Sequence, residues 1–281
     1  MKRFKHIVCT VEPGKEYKPA LERAVTLAEN NQADLTVITV TPLISAAIGM
    51  PEGGLVSTDL QAAAVNSHKQ ELENLVEPYR QRIKIETRVL IGTPFLEIIR
   101  EVLRNAHDLV IKCPESPDRF DRLFSSDDKH LLRKCPCPVW MVRPQTGESF
   151  DRILAAVDMD DSYPSKELET RQALNEKVIE LASSVAVSEF AELHVVHARE
   201  AIAESFMRHG AFMQRPENEV NAYVDQVRRH HKQLLDTLMN EASAEFGNDA
   251  ADYIKPRLHM PKGPARKVIP ELARELQVDC I

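Results

Sequence analysis

The chain has 281 residues, 43% hydrophobic and 28% charged, an ordinary globular balance at a length beyond the usual single core, so two domains are expected. A formal net charge of -7, 5% aromatics and the single tryptophan Trp140 argue against general nucleic-acid binding, which needs a basic surface and stacking faces. No apolar run approaches the roughly 20 residues that span a bilayer, Met1 to His6 lead into a strand and not a signal core, and the five cysteines make no disulfide framework, so a cytoplasmic protein is expected.

Apolar strand signals alternate with helical patterns from the start. Residues 7–11 predict a strand, and Ala20, Ala24, Leu27 and Ala28 mark a helix. A strand at 35–40, a Gly-, Pro- and Ser-rich loop at 42–57, a helix at 59–79 and a strand at 83–90 follow. A helix at 94–105, a strand at 109–111, a helix at 122–134 and a strand at 139–142 close the unit. Residues 143–149 form a polar linker, and the pattern restarts with a strand at 153–157, a helix at 166–185 and a strand at 193–197. A helix at 217–246, a strand at 253–259 and a helix at 266–276 come next. Another strand opens at Asp279, and the loop, helix and strand that would match the first unit do not follow before Ile281, so the second unit is expected to be cut short. Such alternation predicts parallel sheets covered on both faces, with ligands beyond the carboxyl ends of the strands.

The two halves repeat one another. Phe4-Lys-His-Ile-Val-Cys-Thr-Val-Glu12 is echoed by Phe150-Asp-Arg-Ile-Leu-Ala-Ala-Val-Asp158, and Gly92-Thr-Pro-Phe-Leu-Glu-Ile-Ile99 by Gly263-Pro-Ala-Arg-Lys-Val-Ile-Pro270. Both second echoes run on to an aspartate, Asp108 or Asp279, that opens a strand. Two echoes in the same order establish a duplication, with domains at 1–147 and 148–281.

The strand ending at Glu12, Gly92-x-Pro94-x-x-x-Ile98, Asp108-Leu-Val-Ile and His130-Leu-Leu-Arg-Lys-Cys-Pro-Cys-Pro-Val139 resemble the universal stress protein family, in its tandem two-domain, E-type arrangement. The resemblance implies two Rossmann-like domains of the adenine nucleotide alpha hydrolase kind, with parallel five-stranded sheets, packed on each other and able to form a homodimer through the final strand. It implies a stress-response role exercised through ligand occupancy or an unidentified protein partner. In nucleotide-binding members the aspartate ending the first strand meets adenosine, and a loop of pattern Gly-x-x-Gly, nine residues, Gly-Ser/Thr wraps the phosphates. Glycines are needed there because backbone N–H groups must approach phosphate oxygens closely. In the first domain that loop falls on residues 112–126, where its glycine positions read Lys112, Glu115 and Ser125 and only Ser126 keeps the pattern. Pro114 and Pro117 remove donors, Asp127 and Asp128 add negative charge, and Glu12 replaces the aspartate. No nucleotide is expected in the first domain. In the second, Asp158 matches the aspartate, Gly263 keeps the glycine after the third strand, and Val157 and Val196 complete the expected site for ATP or AMP.

Other clusters have blander readings. Asp158, Asp160 and Asp161 read as a helix-capping loop with one ligand-facing aspartate. Adjacent helical residues point about 100° apart, so His230 and His231 cannot share a metal and read as a surface face. His194 and His197 face opposite sides of a strand. Cys9 and Cys280 read as core residues, and Cys135-Pro-Cys137-Pro, lacking a second ligand pair, is a weak metal or redox signal. A Cys113 thiol near Lys112 and Lys134 would have a lowered pKa. Leu43, Ile44, Ala46, Ala47, Ile48, Met50, Ile202, Phe206, Phe212 and Met213 read as packing between the domains before an apolar-ligand groove. No catalytic set and no metal site is expected, so a non-enzymatic role leads. A slow ATP-hydrolysing or phosphotransfer protein centred on Asp158, and a carrier of an apolar or lipid-like ligand, stand as alternatives.

Overall fold

The computed structural model describes residues 4–12, 14–44, 55–115, 125–143, 149–210, 215–246 and 255–281. The chain divides into two compact units, Lys2–Glu148 and Ser149–Ile281.

The first unit alternates β1 (His6–Thr10), α1 (Lys18–Asn31), β2 (Asp34–Thr41), α2 (Leu55–Val76), β3 (Ile85–Ile91), α3 (Pro94–Asn105), β4 (Leu109–Lys112), α4 (Ser126–Lys134) and β5 (Val139–Met141). A single 3-10 turn, Glu77–Tyr79, ends the α2 segment. All pairings are parallel, in the order β3-β2-β1-β4-β5. Strand alternation sends Ile7, Cys9 and Val11 to one face, packed with Ala20, Leu21, Ala24 and Leu72, and Val8 to the other, packed with Ile98, Val102 and Leu131. The sheet is thus buried on both faces, as near-continuous apolar strands require.

The second unit runs β6 (Arg152–Ala156), α5 (Ser165–Glu189), β7 (Glu192–Val196), α6 (Glu204–His209), α7 (Glu217–Phe246), β8 (Arg257–His259) and α8 (Ala265–Glu275). Its three strands are parallel, in the order β6-β7-β8. Cys280 bridges in parallel to Ile153 of β6, just as Leu109 of β4 pairs with Ile7 of β1. The duplicated aspartates do the same work in each unit. Asp108 accepts the N–H groups of Lys5 at 2.7 Å and His6 at 3.2 Å, and Asp279 those of Asp151 and Arg152, both at 2.8 Å.

Most elements fall within a few residues of their expected bounds. The helix α6 occupies a stretch expected as loop, and α4 starts at Ser126, with the expected residues 122–124 lying outside the described part. Residues 253–254 of the strand expected at 253–259 also lie outside it. Among the described residues no helix is long and apolar enough to cross a membrane.

Candidate ligand sites at the carboxyl ends of the strands

In an open parallel sheet the ligand crevice lies at the switch point of the strand order, here beyond β1 and β4. Glu12 follows β1 and Lys112 ends β4. The Lys112 side chain is 3% exposed, and its Nζ lies 2.7 Å from Asp128 Oδ1 and 3.6 Å from Glu12 Oε1. Asp128 is fully buried, and its Oδ2 accepts the backbone N–H groups of Glu115 at 3.0 Å and Ser125 at 3.4 Å. Ser125 Oγ in turn accepts the Asp128 N–H at 3.1 Å, closing a capping box at the start of α4. Backbone donors gathered at a helix N-terminus are what an anionic ligand would use. In this unit the chain's own carboxylate takes them, and a buried ammonium neutralises it. Glu12 is further paired with Lys15, and Ser126 opens α4 exposed to solvent. Of the five residues of the degenerate site, Glu12, Lys112, Glu115 and Ser125 therefore meet in one network, around an aspartate that completes it; Pro117 lies outside the described residues.

The second unit is arranged differently. Asp158 follows β6, and Asn175 of α5 grips its main chain: Asn175 Oδ1 accepts the Asp158 N–H at 2.9 Å, and Nδ2 donates to the Asp158 carbonyl at 2.7 Å. The carboxylate stays 41% exposed; its Oδ1 accepts the Asp160 N–H at 3.1 Å, and it pairs with Arg171. Arg171 also bonds Glu167 at 2.9 Å and stacks 3.6 Å from the Tyr163 ring centre. Val157 donates its N–H to the Val196 carbonyl at 2.9 Å, which joins the ends of β6 and β7 beside Asp158. Gly263 sits between β8 and α8 at φ +132, its N–H bonded to the Arg199 carbonyl at 3.1 Å. Gly92 holds the matching turn of the first unit at φ +146.

The acidic run after β6 does not cap α5, contrary to expectation. The N-cap of α5 is Pro164, without a side-chain cap. Asp160 instead accepts the Ser162 N–H at 3.0 Å, and Asp161 lies 2.6 Å from His230 Nε2, which holds its carboxyl below the ordinary range. His231 corrects a second expectation. It is not a surface residue but 6% exposed, with Nδ1 2.9 Å from Nε2 of His197. His197 Nδ1 accepts the Met159 N–H at 3.2 Å, so its Nε2 carries the proton and donates to His231. The signal was present: His231 lies on the helical stripe Val220, Val224, Val227, Leu235 and Leu238. Burial lowers the pKa of both rings. His194 faces the other side and meets His259 at 2.9 Å. Among the described residues no group of three His, Cys, Asp or Glu is placed to hold a metal ion.

The condition for an activated Cys113 thiol is not met. Burial raises its pKa, Lys112 is committed to Asp128, and Lys134 lies 5.3 Å over the Phe95 ring. Cys9 is fully buried, as expected, whereas Cys280 is only half-buried. Of the apolar loop residues, Leu43, Ile202 and Phe206 are exposed, while Ala46, Ala47, Ile48, Met50, Phe212 and Met213 lie outside the described residues.

A model of the Universal stress protein family matches residues 3–143. Universal stress protein E of Escherichia coli K12 is 29% identical to this chain, over 100% of it and 84% of the relative. The Universal stress protein E homolog of Haemophilus influenzae is 27% identical, over 99% of this chain and 87% of its own length. Among solved structures, a functionally unknown protein from Pseudomonas aeruginosa PAO1 superimposes with a TM-score of 0.63 at 22% identity, covering 98% of this chain and 79% of that one. A universal stress protein from Archaeoglobus fulgidus DSM 4304 gives a TM-score of 0.60 at 16% identity, over 97% and 84% of the two chains. These likenesses show the same tandem α/β fold.

Proposed function

The chain belongs to the universal stress protein family, and from that premise we propose that it is a non-enzymatic stress-response protein whose second unit alone senses an adenine nucleotide, ATP or AMP. One contrast supports this reading. At the first unit's switch point the Lys112–Asp128 pair occupies the helix N-terminus that would hold phosphate, whereas the matching aspartate of the second unit, Asp158, keeps a carboxylate 41% exposed on a braced main chain. Ribose hydroxyls are donors, and a part-exposed carboxylate is the acceptor they need. In this reading the ligand replaces Arg171 on Asp158, and Val157 and Val196 flank it at the ends of β6 and β7. Gly263 keeps the neighbouring turn free of a side chain.

The test is equilibrium dialysis of the full chain against ATP and AMP, beside Asp158→Asn. Asparagine retains an oxygen for the Asp160 N–H but loses the charge that strengthens bonds to ribose. One nucleotide per chain is expected, with affinity reduced about tenfold or more in the variant, the worth of a hydrogen bond to a charged group. Bound ATP should be recovered unhydrolysed. No binding, or two sites per chain, would sink the proposal.

A further inference from the structure

Cys135 and Cys137 flank the exposed Pro136 in the turn between α4 and β5, with their Sγ atoms 3.7 Å apart. The turn is pinned at both ends. Cys135 caps α4 through its N–H to the Leu131 carbonyl at 2.9 Å, and the Pro138 carbonyl accepts the Val110 N–H at 3.0 Å where β5 joins β4. Proline removes freedom between them, so the thiols are held face to face in the folded state at small further entropic cost. Both are half-buried, whereas Cys9 and Cys113 are buried on the opposite side of the sheet.

The two sulfurs are not equivalent. The shared thiol–thiol bond and the Cys137 backbone N–H, which only Cys135 gains from its neighbour, lower the Cys135 pKa. Cys137 is pushed up by that bond, by burial and by the nearby Asp108 carboxylate. Asp108 is itself engaged by the N–H groups of Lys5 and His6. The last-turn cations Arg133 and Lys134 complete the charged surroundings on α4, and Lys134 is drawn toward Phe95. One thiol is ready to attack while its neighbour keeps a proton.

We propose that Cys135 and Cys137 form a reversible dithiol–disulfide site that exchanges with small-molecule disulfides, Cys135 attacking and Cys137 resolving. The Cys135 thiolate attacks one sulfur of RSSR, forming a mixed disulfide and releasing RS⁻. Cys137 gives its proton to that thiolate and attacks Cys135 Sγ, expelling the second RS⁻, which takes a proton from water. In total the protein dithiol loses two electrons and two protons, and RSSR becomes two RSH. The sulfurs close from 3.7 Å to about 2.0 Å. A lowered pKa gives Cys135 a larger thiolate fraction than an ordinary cysteine, and its lower nucleophilicity offsets only part of that advantage in exchange rate. This site is independent of nucleotide binding.

The experiment treats the reduced full chain with oxidised glutathione, quenches in acid, and reads intact and peptide masses for wild type, Cys135→Ser and Cys137→Ser. Wild type should lose two hydrogens, retain no glutathionyl group and carry the link within the peptide that holds both cysteines. Cys137→Ser should trap one glutathionyl group on Cys135, and Cys135→Ser should react more slowly in that peptide. A wild-type chain that keeps glutathione on Cys135, or closes its disulfide elsewhere, would overturn the proposal. The wild-type result decides this even if a variant fails to fold.

Discussion

Lys112 and Asp128 have left water together, and neither could have done so alone. Withdrawing an ion costs several kcal/mol, and the attraction at 2.7 Å offsets this only because the remaining carboxylate oxygen is also satisfied, by the N–H groups of Glu115 and Ser125. Removing one partner strands the other. Lys112→Met is therefore expected to cost about 3–5 kcal/mol of first-unit stability, read from the urea midpoint. In the double variant Lys112→Met/Asp128→Asn, the amide oxygen still accepts both N–H groups and no charge remains buried, so part of the loss should return. Strictly additive costs would show that the two charges are not coupled. The same pair supports the proposal that the first unit takes no phosphate: Asp128 already holds the N–H groups of Glu115 and Ser125. The sequence carried the disqualifying residues, Lys112, Glu115 and Ser125, but not their arrangement. Whether Asp128 turns inward as a capping partner or outward into solvent depends on where β4 delivers the Lys112 ammonium, a contact across sixteen positions that no local pattern encodes.

At the scale of elements, the duplication is written into turns. Gly92 and Gly263 each lie between a strand and the helix that follows, at φ +146 and +132, where an L side chain is strained. A Cβ on Gly92 would stand 2.8 Å from Glu97 Oε1 and 2.9 Å from Glu97 Cγ, and Glu97 is itself buried and paired with Arg100 at 2.5 Å. On Gly263 it would meet only Val268 Cγ1, at 3.0 Å. Gly92→Ala should therefore cost about 1–3 kcal/mol, and Gly263→Ala the smaller amount within that range, measured by thermal or urea unfolding. Equal effects, or none, would mean that the turns relax freely. Turn glycines and strand-opening aspartates survive in both units because each has a backbone task that one residue type performs, which made the repeat readable. Helix faces were harder. Two histidines beside two arginines suggest a solvated surface, although the apolar stripe through Leu235 turns His231 inward. The six residues of α6 hold too little periodicity to separate helix from loop.

Across the whole molecule the two units share a fold but bury different chemistry, and acid should tell them apart. The second unit buries neutral rings: burial lowers the pKa of His197, His231 and His259 below the ordinary 6.5. Above that value the rings are neutral in both folded and unfolded chains, and nothing is lost. As pH falls through 6.5 the unfolded chain takes up protons that the folded unit resists, so stability declines toward the folded pKa values. Asp158, Asp160 and Asp161 favour the charged form of His231, which softens the decline without reversing it. In the first unit the lowered carboxyl is Glu73, held down chiefly by the Thr87 hydroxyl and by Arg80. Its contribution is intact above the ordinary 4.5 and is lost only as pH falls through that range. The second unit should thus lose backbone protection at a higher pH than the first. Pulse-labelled hydrogen exchange, with samples equilibrated between about pH 7 and about pH 4 and labelled at one fixed pH, reads both units in a single chain. His231→Gln, whose amide oxygen can still accept from His197 Nε2, removes one titrating ring and should move the second unit's loss to lower pH while leaving residues 4–143 unchanged. Simultaneous loss in both units, or an unaltered profile in the variant, would remove the histidines from the account of acid stability. The expected order would also place the pH-sensitive rings beside the strand end that presents Asp158, because His197 holds the Met159 N–H, the next residue along the chain.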